Sequence, residues 1–289
     1  MSKFRCPAKI NLFLKLTGKR ADNYHELESL FAFLDLADEL EVEKSTEFKL
    51  EIIGEFAGAI DEKNNSFTKI LDYFAREFLI SKNIHIKITK NIPVGAGLGG
   101  GSSDAAFFMR ALNEIFALNL STQALQKISL NFGSDIAFLL QNQAAIIRGR
   151  GEIITPYPEF EAIAALLINP KIEVSTKEIF EKFGNNFSAR IADEELKKRD
   201  VFDLITNLPN DMEKPAISSL AVISDILNQL KNCNATIAKM SGSGASCFGI
   251  FEDEKSLKLA QKFFAEKFPG FFLKQVEILS KFSATKITN

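Results

Sequence analysis

Residues 92–106 read Ile-Pro-Val-Gly-Ala-Gly-Leu-Gly-Gly-Gly-Ser-Ser-Asp-Ala-Ala, with five glycines in the seven positions from Gly95 to Gly101. Such a run cannot fill a core. Each glycine costs chain entropy on folding, which is tolerated where backbone must come close to something else. Ahead of it, Ile84, Ile86 and Ile88 alternate as in a strand; behind it, Ala106, Met109, Leu112, Asn113 and Phe116 recur at helical spacing. The run therefore joins a strand to a helix N-terminus, where unpaired N–H groups and the helix dipole favour an anion such as a phosphate. Ser102, Ser103 and Asp104 are side chains suited to capping that helix. The two hydroxyls could also reach phosphate oxygens or a phosphate-bound Mg²⁺, as phosphoryl transfer requires. The plain alternative is a capped turn, and turns rarely use five glycines.

Two known phosphate loops can be compared with this run. The Walker pattern, GxxxxGK followed by Ser or Thr, is absent from the chain. The dinucleotide pattern GxGxxG does occur, at Gly95, Gly97 and Gly100. A dinucleotide site also needs an acidic residue closing a second strand about 20 residues on. Residues 112–125 read as helix, turn and helix, which weakens a Rossmann-type NAD-binding protein as the alternative.

Charge and length narrow the class. The chain has 289 residues, 46% hydrophobic and 25% charged, which excludes a disordered chain and suits about two domains. With 35 Lys+Arg against 37 Asp+Glu, no basic field exists to draw nucleic acid or an anionic membrane. Apolar runs such as 162–168 fall far short of the ~20 residues of a membrane span. The stretch 1–16 is broken by Lys9, Asn11 and Lys15 and is no secretion signal. Cys6, Cys233 and Cys247 are odd in number and widely spaced, which argues against disulfides or zinc and fits a cytoplasmic protein. The expected partners are small molecules rather than nucleic acid or membrane, with the chain a monomer or homodimer.

Strand patterns are expected at Lys9 to Leu16, Glu28 to Leu36, Glu39 to Glu43, Phe48 to Ile53, Ala164 to Ile168, Thr236 to Met240, Cys247 to Phe251 and Phe272 to Ile278. Helices are expected at Ser66 to Leu79, Thr122 to Leu130, Ser175 to Phe183, Ser218 to Leu230 and Glu254 to Phe268. In the first strand, Ile10, Leu12, Leu14 and Leu16 should share one face, with Asn11, Phe13 and Lys15 on the other. Without strict βα alternation, the pattern predicts an α+β protein, divided near residue 155 into halves of 1–155 and 156–289.

Four further segments carry possible chemistry. Pro7-Ala8-Lys9-Ile10-Asn11 puts an amine and an amide two residues apart among apolar neighbours, although a solvent-facing edge lysine is the commoner case. Gly133-Ser134-Asp135 opens an apolar run. Asp135 is either a helix cap or the carboxylate that takes a proton from an acceptor hydroxyl, and a nearby lysine would favour its charged form. Tyr24-His25 follows the turn signal Asp22-Asn23; these rings either pack at a surface turn or stack on and hydrogen-bond a base. No second His or Cys stands at metal spacing from His25. Finally, Lys239 to Gly249 reads as a tight hairpin whose small residues suit close packing on the first loop or a substrate.

Together, Pro7-to-Asn11, the Pro93-to-Ala106 loop and Ser241-Gly-Ser-Gly-Ala245 resemble the GHMP kinases, the group that includes galactokinase, homoserine kinase, mevalonate kinase and phosphomevalonate kinase. The resemblance spans nearly the whole chain. Gly18 to Leu27, Gly97 to Ser103 and Gly133-Ser134-Asp135 place it nearest the members that act on a cytidine-diphosphate-linked alcohol in the non-mevalonate route to isoprenoids. The implied fold has two domains: a ribosomal protein S5 domain 2-like β/α half and a ferredoxin-like half, with the active site in the cleft between them. The implied reaction moves the ATP γ-phosphoryl group to the C2 hydroxyl of a cytidine-diphosphate-linked methylerythritol. A mevalonate- or homoserine-like alcohol is the alternative acceptor. ATP and Mg²⁺ are the implied cofactors, with no metal ligand assigned.

The resemblance assigns Asp135 as base and Lys9 as its partner. It places Pro93, Val94, Gly95, Ala96, Gly97, Leu98, Gly99, Gly100, Gly101, Ser102 and Ser103 on the ATP phosphates and Asn65 by the adenine. Asn11, Tyr24, His25, Thr176 and Phe180 would hold the substrate, with Tyr24 and Phe180 around the cytosine. Asp104 departs from the pattern, since many members carry a small residue there.

Overall fold

A computed structural model describes residues 1–21, 24–59, 61 and 65–283. The Asp22-Asn23 turn and Glu62 lie outside these residues. One mixed sheet of ten strands organises the chain. Strands β1 (Ser2–Lys19) and β2 (His25–Lys44) form a long antiparallel hairpin. The expected break between two strands inside 28–43 is absent, because β2 runs through it, pairing with β1 along its length. Register shifts fall between Pro7/Lys9 and between Asn11/Phe13. Such bulges re-aim side chains and often lie beside active sites. They also alter the expected alternation: Leu12 and Phe13 are both buried in the same core cluster.

Beyond this hairpin, β3 (Lys49–Ile53) runs parallel to β4 (Ile84–Thr89), and β4 pairs with the far end of β2. Helix α1 (Ser66–Phe78) lies between them in the chain. Its Asn65 cap accepts from Thr68 N at 3.1 Å, and Phe67, Ile70, Leu71 and Phe74 form its buried face. Helices α2 (Gly100–Ile115), α3 (Thr122–Ser129) and α4 (Ser134–Leu139) cover the same side. The sequence reading missed β5 (Ala145–Gly149) and β6 (Ile153–Pro156), two short strands that extend the sheet from β2.

The C-terminal strands are β7 (Ile163–Asn169), β8 (Ile237–Met240), β9 (Cys247–Ile250) and β10 (Phe272–Leu279), ordered β10-β7-β9-β8 and all antiparallel. Between β7 and β8 run α5 (Thr176–Phe183), α6 (Asp193–Lys198), α7 (Val201–Asn207), α8 (Glu213–Ser219) and α9 (Val222–Asn232), and α10 (Glu254–Lys267) precedes β10. Taken with α9 and α10, this is the split βαββαβ order of a ferredoxin-like unit. The expected helix at 218–230 is two: α8 ends at Ser219, and α9 starts at Val222. Pairing of Ile278 and Leu279 with Leu34 and Phe33 joins β10 to β2 within the single sheet. Among the described residues no helix is long and apolar enough to cross a membrane, and Cys6, Cys233 and Cys247 are free.

Candidate active site

The glycine run wraps the start of α2, as its sequence predicts. Helix α2 begins earlier than the serines suggest: Gly99, with φ of 67°, stands at the cap, and Ser102, Ser103 and Asp104 are already helical. A left-handed cap strongly favours glycine. The first helical bond joins Ser103 N to Gly99 O at 2.8 Å. The N–H groups of Gly100, Gly101 and Ser102 thus precede the helical ladder, in the position where a helix receives an anion. The loop walls a cavity of about 500 Å³ together with Asn65, Phe67, Lys90, Phe132 and Ile136.

Two glycines show why the loop needs them. A Cβ on Gly97 would lie 2.8 Å from Gly244 O and 2.9 Å from Ser241 O, and one on Gly99 would lie 2.8 Å from Lys9 Cγ. The first loop is thus pressed between β1 and the hairpin at 241–246. On one side Lys9 N donates to Leu98 O at 2.8 Å, and on the other Ser246 N donates to Ala96 O at 3.4 Å. Backbone contact on both sides leaves little freedom for the glycines to move.

Lys9 is not a solvent-facing edge residue. It is buried between the two β1 bulges, and its ammonium donates to Asn11 Oδ1 at 2.6 Å. The same nitrogen lies 3.6 Å from Asp135 Oδ2 and 4.7 Å from the centre of the Phe31 ring. Asn11 Nδ2 donates to Ser29 Oγ at 3.0 Å, which fixes the amide so that its oxygen faces the lysine. Asp135 is not a cap: Gly133 holds that position, and Asp135 sits in the first turn of α4 with its side chain 28% exposed. Phe138, one turn on, is buried and stacked on Phe33 at 4.8 Å and edge-on to Phe31 at 5.2 Å. That packing holds α4, and so Asp135, against the hairpin that carries Lys9. Lys9 packs against Gly99 at the start of α2, so the pair stands beside that helix start, where a carboxylate can take a proton and an ammonium can oppose negative charge.

Of the remaining predicted residues, His25 rather than Tyr24 meets Phe180 of α5, stacked on it at 5.0 Å and 30°, with Phe183 and Phe187 around the imidazole. Burial, with a smaller push from Lys19, holds the His25 imidazole below its ordinary value. Tyr24 is exposed, and the Arg150 guanidinium lies 4.5 Å from its ring centre. Thr176 Oγ1 and Ser243 Oγ are 3.0 Å apart, linking α5 to the second glycine hairpin.

Sequence reading missed the residues that brace this arrangement. Asn210 Nδ2 donates to Met240 O and Gly242 O, each at 2.8 Å, so the segment before α8 holds the 241–246 hairpin. Glu28 is fully buried, with Arg148 Nε at 2.9 Å and the Lys15 ammonium at 3.7 Å. Asn210 and Glu28 look like ordinary polar residues in sequence, and only their burial singles them out.

Similarity to known proteins shows which family the chain belongs to. The family model described as GHMP kinases N terminal domain matches residues 65–150, and that described as GHMP kinases C terminal matches 194–270. A 4-diphosphocytidyl-2-C-methyl-D-erythritol kinase of Chelativorans sp. is 34% identical over 281 residues, covering 95% of this chain and 96% of that protein. The chain belongs to the GHMP kinase family.

Other relatives agree with that membership. The 4-diphosphocytidyl-2-C-methyl-D-erythritol kinase of Clostridium beijerinckii is 33% identical to this GHMP kinase, covering 94% of this chain and 98% of its own. A crystal structure of 4-(cytidine 5'-diphospho)-2C-methyl-D-erythritol kinase superposes with a TM-score of 0.77 at 26% identity, covering 96% of this chain and 99% of its own. A mevalonate kinase of L. major in complex with R-mevalonate shares the fold alone, with a TM-score of 0.69 at 14% identity over 98% of this chain and 97% of its own.

Proposed function

We infer that this GHMP kinase phosphorylates the 2-hydroxyl of 4-diphosphocytidyl-2-C-methyl-D-erythritol with ATP, giving the 2-phosphate and ADP in isoprenoid precursor synthesis. The whole-length likeness to kinases named for that substrate supports the acceptor. The observation that carries the chemistry is the Lys9–Asp135 pair, 3.6 Å apart beside the mouth of the glycine loop.

In this reading, ATP lies in the cavity with its adenine towards Asn65 and Phe67 and its phosphates on residues 93–103. The Asp135 carboxylate accepts the proton of the 2-hydroxyl as the oxygen bonds to the γ-phosphorus. The bond from that phosphorus to the bridging oxygen breaks, and ADP leaves. Lys9, held by Asn11, orients Asp135 and opposes the charge that builds on the transferring group. Tyr24, His25, Thr176 and Phe180 hold the cytidine end of the acceptor.

Mg²⁺ fits this donor set without a carboxylate cage. Among the described residues no group of three His, Cys, Asp or Glu is placed to hold a metal ion. Magnesium in kinase sites is held largely by substrate phosphates, waters and one or two protein oxygens. Ser102, which lines the cavity in the first turn of α2, is the hydroxyl that would join them. The ion would neutralise charge between the β- and γ-phosphates.

The reading extends to a cytoplasmic enzyme whose partners are these small molecules, in keeping with its free thiols. The test is incubation with ATP, Mg²⁺ and a panel of alcohols that includes the cytidine-linked one, mevalonate and homoserine, following ADP. Turnover confined to the cytidine-linked alcohol is expected. Turnover with mevalonate or homoserine alone would overturn the acceptor assignment.

A further inference from the structure

The phosphate loop begins and ends on one buried ion cluster. Lys90 follows β4 at the loop's entry, and Asp104 lies in α2 at its exit. The Lys90 ammonium donates both to the Asp104 carboxylate and to that of Asp38, on β2. The three side chains are 2%, 5% and 0% exposed. Asp38 grips the entry itself: its other oxygen accepts from Asn91 N at 2.5 Å and Ile92 N at 2.8 Å. A Cβ on Gly100 would meet Ile92 Cγ2 at 3.0 Å and Asp38 Oδ2 at 3.6 Å, so the cluster is packed against the first residue of α2. Lys90 and Asp104 also form part of the wall of the nucleotide cavity.

A buried cation with two carboxylates is a costly way to gain stability, since apolar residues of similar size often serve as well. What it supplies here is geometry. The chain between Lys90 and Asp104 contains all five loop glycines, so it has much conformational entropy to lose and few side chains to hold it. We propose that Lys90 and Asp104, braced by Asp38, are positioning residues for the nucleotide: joined across the base of the loop, they hold its N–H groups aimed at the phosphates. Neither residue need touch ATP for this. The inference rests on the reading of the loop as the ATP site.

The test separates the two substrates. Asp104→Ala removes the bond to Lys90, whereas Asp104→Asn keeps an acceptor for it. Misplaced binding groups cost affinity and rate steeply, so Asp104→Ala should raise the KM for ATP about tenfold and leave that for the alcohol within about twofold. Asp104→Asn should bring the ATP KM back to within about threefold of wild type. If Asp104→Ala does not fold, Asp104→Ser, too short to reach Lys90, takes its place. An unchanged ATP KM in the folded Ala or Ser variant would overturn the proposal. So would equal rises in both KM values, or an Asn variant no better than Ala. A wild-type protein that binds no ATP in calorimetric titration would overturn the reading of the loop itself, and this inference with it.

Discussion

Lys9 Nζ lies 3.6 Å from Asp135 Oδ2, and the same ammonium is hydrogen-bonded to Asn11 at 2.6 Å. The lysine comes from a bulged strand and the aspartate from the first turn of a short helix. Their meeting depends on Phe138 packing on Phe31 and Phe33, which seats that helix on the β1–β2 hairpin. Replacing either partner should therefore affect chemistry before it affects nucleotide binding.

Asp135→Ala should lower kcat on the order of 10²-fold or more with little change in ATP affinity, because a positioned general base contributes that much to proton transfer. Steady-state kinetics together with ATP titration calorimetry checks it. Near-normal turnover would remove Asp135 from the mechanism.

Gly97→Ala should weaken ATP binding about tenfold or more. Gly97 has φ of 72°, and its Cβ would fall 2.8 Å from Gly244 O and 2.9 Å from Ser241 O, so neither strain nor a small shift accommodates it. Strained backbone of this kind costs about 1–3 kcal/mol. A variant that retains wild-type ATP affinity would show that the loop does not receive the phosphates.

Tyr24→Ala should raise the KM for the cytidine-linked alcohol and leave that for ATP unchanged. The ring is exposed beneath Arg150, so its loss should not change melting temperature. Equal rises in both KM values would place Tyr24 outside the acceptor pocket.

His25 should titrate below the ordinary imidazole value of 6.5, because burial, aided by Lys19, disfavours its cation. Between its folded value and 6.5 the unfolded chain binds more protons, so this group makes stability rise with pH across that window. Proton NMR of the His25 ring checks the direction, and Lys19→Gln should move the midpoint upward. A midpoint above 6.5 would contradict the packing against Phe180.

Asp104 should show the opposite slope. Burial raises its carboxyl above the ordinary carboxylate value against the pull of Lys90, with Asp38 adding to the rise. Between the ordinary value of 3.8 and its raised folded value the folded protein binds more protons than the unfolded chain, so this group lowers stability as pH rises through that window. Asp104→Asn removes the ionisation, so denaturant unfolding should show it gaining on wild type as pH rises above about 4. No pH-dependent difference between the two would mean that Asp104 is ionised throughout.

Much of the site could be read in one dimension because its motifs are local. A glycine run between strand and helix, serines after it, and Gly-Ser-Asp before an apolar turn each need only neighbours to be recognised. In the ferredoxin-like unit the strands β7 to β10 and helices α5 and α10 fall where their local periods predict, whereas α6 and α7 were not expected and the helix expected at 218–230 is split into α8 and α9. What was not legible is long-range. The alternation in β1 fails at Leu12 and Phe13, because a bulge is set by pairing with β2. The strands β5 and β6 are short, and β5 is recognisable only by its partner β2. Lys90, Asp38 and Asp104 are unremarkable charges until folding buries them together.

The sequence by itself determined that a glycine-rich helix start awaits an anion, and that an acid, a lysine and two rings stand ready elsewhere in the chain. Only the tertiary structure decided which of them meet. It placed Lys9 against Asp135, His25 against Phe180 and Lys90 between two carboxylates. The reason is that backbone preference and hydrophobic period act over a few residues, whereas the sign and burial of a charge acquire meaning only when distant segments are packed and water is excluded between them.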